Sequence, residues 1–100
     1  MKQDSLPLYE SGKKAIIEKY PALAGSIKQL EEKIAKNPQD AIKETLLIEG
    51  RHVPTRKRGL RTDFFSDRLP DHYLYLTINY GLTDKGMIVF LAVYLHDYIV

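Results

Sequence analysis

The apolar residues of this chain change period near its middle. Between residues 11 and 38 they recur at helical spacing. Ala15, Ile16, Ile17 and Tyr20 give one apolar face, and Leu23, Ile27, Leu30 and Ile34, spaced four, three and four apart, give a second and cleaner stripe. Lys28, Glu31, Glu32 and Lys36 fall away from that stripe. Ser11 is the expected N-cap of the first helix. Pro21 separates the two helices, because the residue before a proline avoids the helical region, and it suits the first turn of the second. Asn37-Pro38 closes the pair. Ala41, Ile42 and Leu46 predict a short third helix over 39–49, ended by Gly50.

From residue 72 onward the period is two. Leu74, Leu76 and Ile78 point one way along His72–Tyr80, and Tyr73, Tyr75, Thr77 and Asn79 the other. The segment 81–86, rich in glycine and polar residues, reads as a turn, and Met87–Leu95 is apolar on both faces, as a central strand requires. Two strands across a short link form an antiparallel hairpin. The expectation is an α+β domain over 1–100: helices about 11–49, a basic segment 51–62, and a small antiparallel sheet about 58–98 that receives the helical stripe.

Composition changes this picture little. One hundred residues, 44% hydrophobic and 28% charged, fit one globular domain. The absence of cysteine excludes disulfides and thiolate metal sites and fits a reducing compartment. Met1–Glu10 lacks the apolar region of a secretory signal, and the longest apolar run, Met87–Leu95, is about half of a transmembrane helix. The chain is therefore expected to be soluble and cytoplasmic, with no membrane partner.

Charge adds more. Residues 1–50 carry eight lysines and eight acids, which cancel, whereas 51–62 carry Arg51, Arg56, Lys57, Arg58 and Arg61 without an acid. Such a block is either a solvated segment or a footprint for a polyanion. It contains Pro54 and Gly59, so it is expected to begin as a loop and to enter a strand near Arg58. His52, His72 and His96 lie twenty and twenty-four residues apart, without the close spacing of a metal motif, so no metal site is expected. His96 and Tyr98 are two apart and share a face if the last strand stays extended. The plainer alternatives are a strand-end histidine with a local hydrogen bond and a tail tyrosine that packs. Tyr73 and Tyr75 either stack on bases or pack inside the fold.

Three segments carry a resemblance. EKYPALAGSIKQLEEKIAKNP (18–38), SDRLPDHYLYL (66–76) and FLAVYLHDYIV (90–100) resemble the helical hairpin, the entry to the middle strand and the His/Tyr tail of the RelE/ParE toxin superfamily, nearest the RelE/YoeB branch. The resemblance implies a RelE-like fold and the toxin of a toxin–antitoxin pair. Its partners would be a cognate antitoxin, the ribosome and mRNA. The implied activity is a metal-independent endoribonuclease, without a small-molecule cofactor, that cleaves ribosome-bound mRNA and so inhibits translation. His96 and Tyr98 would move protons, Arg61 and Arg68 would meet the phosphoryl charge, and Arg56, Lys57, Arg58, Arg61 and Tyr73 would hold RNA. Two departures stand out. Tyr73 occupies the place after His72 where ribonuclease members carry an arginine, and no base-type carboxylate is evident before Leu60. The alternatives are a non-enzymatic ParE-like gyrase inhibitor and an inactive scaffold that only binds a protein partner.

Overall fold

The structure, a computed structural model, describes residues 3–97. The first element is a short strand, β1 (Gln3–Ser5), followed at once by helix α1 (Pro7–Lys19). Pro7 starts the helix because its ring holds φ near the helical value and its missing N–H costs nothing in the first turn. Ser11, expected as the N-cap, lies one turn inside and donates its hydroxyl to the Leu8 carbonyl, while Leu6 takes the cap position with extended backbone. Tyr20 closes α1, and α2 (Leu23–Lys36) begins two residues after Pro21. The stripe Leu23, Ile27, Leu30 and Ile34 is fully buried, and Asn37 ends the helix as expected.

The predicted third helix is a strand. β2 (Ile42–Ile48) pairs antiparallel with β3 (Arg51–Phe65), Ile48 opposite Arg51. The two-residue turn between them, Glu49-Gly50, has φ of 50° and 75°, the paired positive values that a tight hairpin needs and that glycine supplies without steric cost. Gly50 is thus a turn residue and not a helix cap. β3 also corrects the expected loop, since the whole basic segment is extended. Pro54 is tolerated because the register with β4 (Tyr73–Leu82) begins only at Arg56–Tyr80, so β2 alone flanks the strand there.

β4 and β5 (Ile88–Asp97) form the expected antiparallel hairpin around a turn closed by Thr83 and Met87, with Gly86 at φ 81°. The sheet order is β1-β5-β4-β3-β2. Its ladder is mixed and not wholly antiparallel, because β1 runs parallel to β5 at the edge. The intervening 80-odd residues supply the long crossover that a parallel neighbour requires, and Leu6 N–H to Phe90 C=O extends the ladder.

Both helices cover one face of the sheet. Tyr9, Ile27, Leu30 and Ile34 meet Leu76, Ile78, Tyr80, Ile88, Phe90 and Val93 in one apolar core. Two buried phenols are tied down inside it. Tyr9 donates to Glu31, which also takes Lys13, and Tyr80 donates to the Pro38 carbonyl at 2.7 Å. Burial pushes both phenols up, and for Tyr9 the Glu31 carboxylate adds to the effect. No helix among the described residues is long and apolar enough to cross a membrane.

Candidate functional site

Strand parity sorts the chemistry between the two sheet faces. In an antiparallel ladder directly opposed residues point to the same side. The register therefore sets Arg61, Tyr75 and His96 in one row across β3, β4 and β5, on the face turned away from the helices. Gly59, Thr77 and Tyr94 make the next row, and Lys57, Asn79 and Ala92 the one after.

This face is concave because the β2–β3 hairpin curls over it. Glu44 on β2 reaches across β3 to accept a 2.9 Å hydrogen bond from the Asn79 amide on β4, and Leu46 and Ile48 of β2 line one cleft together with Leu6, Leu8 and Tyr94 from the opposite end of the strand order. Asn79 also reaches Thr55, whose hydroxyl is bonded to the Glu44 carbonyl, and Lys57 pairs with Glu44 at 3.6 Å. Asn79 and Thr77 are thereby buried although nothing helical covers them. Glu44, Leu46, Lys57, Thr77, Tyr94 and His96 surround an open cleft of about 500 Å³.

His96 is exposed at the rim of this cleft. Its Nε2 shares a 3.0 Å hydrogen bond with Thr77, and the Tyr75 ring meets it edge-on at 5.2 Å, so the imidazole is oriented from two sides. Tyr75 in turn lies across Gly59, where a Cβ would overlap its ring. Arg61 is exposed and its guanidinium stands 4.6 Å from the Tyr73 ring centre. Phe65 stacks on the same ring at 4.7 Å.

The other sequence-predicted residues go elsewhere. Arg56 and Arg58 point to the helix face by the same parity. Arg58 donates to the Lys33 carbonyl at 3.0 Å and pairs with Asp40 at 3.4 Å, which caps the negative end of α2. Both arginines oppose part of the rise that burial imposes on Tyr80. Arg68 sits in the 66–72 loop and is bound to Asp97 at 2.9 Å, on the helix side of β5. The Ser66 hydroxyl and then the Arg68 guanidinium hold the Asp97 carboxyl below the usual carboxylate range. Tyr98 lies outside the described residues. The basic block, acid-free in sequence, is thus divided between two faces, and Lys57 and Arg58 are each met by an acid from residues 40–44.

Glu44, Thr55, Thr77 and Asn79 were not singled out from sequence. The available signal was Glu49-Gly50 between two short apolar–polar runs, a hairpin pattern that would have moved Glu44 from a helix onto this face. Among the described residues, no three His, Cys, Asp or Glu side chains cluster as a metal site would require. Compared with models of known protein families, with curated proteins and with solved structures, the chain finds no match.

Proposed function

We propose that the concave sheet face binds single-stranded RNA and that the protein is an endoribonuclease toxin with a RelE-like fold, held in check by a cognate antitoxin and acting on ribosome-bound mRNA. The observation that carries this reading is the row Arg61–Tyr75–His96, a cation and an oriented imidazole on one solvent-facing surface. Glu44 supplies a carboxylate at the same cleft, held by Asn79 and Lys57.

These groups suit cleavage by an internal nucleophile. The 2′-oxygen of one nucleotide attacks the adjacent phosphorus, the bond from phosphorus to the 5′-oxygen breaks, and a 2′,3′-cyclic phosphate and a 5′-hydroxyl result. Glu44 accepts the proton of the 2′-hydroxyl and His96 delivers one to the leaving 5′-oxygen. Arg61 offsets charge that develops on the phosphoryl oxygens. Thr77 and Tyr75 position the imidazole.

Induced expression in a host cell tests this, with mRNA 5′ ends mapped for wild type and His96→Ala. New ends in coding regions that vanish in the variant are expected. With purified protein and a single-stranded RNA, His96→Ala and Glu44→Gln should each slow single-turnover cleavage by roughly 10²–10⁴-fold. Growth arrest without new ends would replace this reading with a ParE-like binding inhibitor.

A second reading, a protein-binding module without catalysis, is favoured by one feature. An apolar cleft of about 460 Å³ lies between Leu6, Leu8, Leu46, Ile48 and Tyr94, and Leu8, Leu47 and Tyr94 are exposed around it. If neither 5′ ends nor purified RNA are affected by the wild-type protein, this module reading takes precedence.

A further inference from the structure

β3 carries two more residues than β4 between the pairs Arg61–Tyr75 and Phe65–Tyr73. Such a bulge re-aims the side chains beyond it. Thr62 pins it, with a hydroxyl that donates to the Leu74 carbonyl at 2.8 Å and accepts from the Phe64 N–H at 3.2 Å. Thr62 itself is buried, so the bulge is packed in place. Its consequence is that Phe65 lands on Tyr73, with ring centres 4.7 Å apart and planes within 21° of parallel. Arg61 contacts the same tyrosine ring.

Phe65 is 59% exposed, although one side of its ring is occupied by Tyr73. The Phe65–Tyr73 pair sits one strand repeat, about 7 Å, beyond the row Arg61–Tyr75–His96, and Arg61 reaches back from that row to the Tyr73 ring. An extended nucleic-acid strand with its phosphate at Arg61 and His96 would bring a neighbouring base over this pair. Aromatic rings backed by arginine accept any base through its flat face, and the guanidinium adds attraction to the flanking phosphate.

We infer that Phe65, Tyr73 and Arg61 form a stacking subsite for the nucleobase that neighbours the cleaved phosphate in single-stranded RNA. The inference rests on the RNA reading of the concave face, but it concerns binding and not the chemical step. Phe65 is the residue to vary, because it is exposed and belongs to neither the proton-transfer groups nor the phosphate contact.

The test uses the full chain carrying His96→Ala, to prevent cleavage, and a single-stranded oligoribonucleotide with one 2-aminopurine, whose fluorescence falls when it stacks. Phe65→Ala and Phe65→Leu should each weaken binding by roughly tenfold and remove the quenching, whereas Phe65→Tyr should restore both. An unchanged thermal midpoint in all three variants shows that the fold is intact. Binding by Phe65→Leu equal to that of the parent overturns the inference, because apolar bulk without a ring face would then suffice, as it would at a docking patch for protein. Absence of oligoribonucleotide binding by the parent overturns it as well. Normal quenching by the parent, combined with failure of the His96-containing protein to cleave, would leave the subsite standing and remove the ribonuclease reading instead.

Discussion

At the scale of single residues, side chains that look alike in sequence have different surroundings, and the surroundings decide what each does. Asp97, at the end of β5, is held below the usual carboxylate range by the Ser66 hydroxyl and the Arg68 guanidinium. A depressed folded value means that ionised Asp97 stabilises the fold at neutral pH and loses that effect as pH falls through the folded value. The stability difference between wild type and Asp97→Asn should therefore be constant above about pH 5 and shrink below about pH 4, as read by denaturant unfolding at several pH values. Tyr80 offers a second case, since its hydroxyl meets the Pro38 carbonyl at the end of α2. Tyr80→Phe removes that donor while keeping the ring, and should cost about 1–2 kcal/mol in chemical denaturation without moving RNA affinity.

At the scale of elements, β2 and β3 show how a local period is overridden. Ala41, Ile42 and Leu46 satisfy a helical spacing, but a seven-residue stretch beside a long strand gains more from ladder hydrogen bonds than an isolated short helix gains from its own. Positive φ at Glu49 and Gly50 then sets the register that brings Glu44 to Asn79. The close approach of Tyr75 to Gly59 is the other element-scale device. Gly59→Ala should displace that ring and destabilise the protein by about 1–3 kcal/mol, and the cost should fall when Tyr75→Ala is combined with it. A double-mutant cycle by denaturant unfolding measures the coupling. Additive costs would show that the ring is not seated over the glycine.

At the scale of the whole molecule, charge is partitioned by the sheet. A basic block threaded through one strand sends alternate residues to opposite faces, so Arg58 serves the helix end while Arg61 faces the concave surface. Arg58→Ala should lower stability by about 1–3 kcal/mol and leave the salt dependence of RNA binding unchanged. Arg61→Ala should do the reverse: little change in melting, and a slope of log affinity against log salt reduced by about 0.7. Equal slopes for both variants and wild type would detach the basic strand from RNA binding altogether.

Periodicity alone was sufficient for the helical stripe of α2, its Asn37 stop and the alternation of β4, because each depends on which residues sit three, four or two positions apart. The apolar run of β5 is buried on both faces only from Phe90 to Val93, and Tyr94 is exposed. The sequence also placed the basic residues and His96 on the map of candidates. Tertiary structure decided the rest. β1 exists only because β5 offers an edge, and β2 is a strand only because β3 lies beside it. Arg58, Arg61 and Lys57 took separate roles only when the sheet assigned each to a face and curled Glu44 over the cleft. The physical reason is common to all of these. Ladder pairing and charge neutralisation join residues far apart in the chain, and their free energy depends on neighbours that no local window contains.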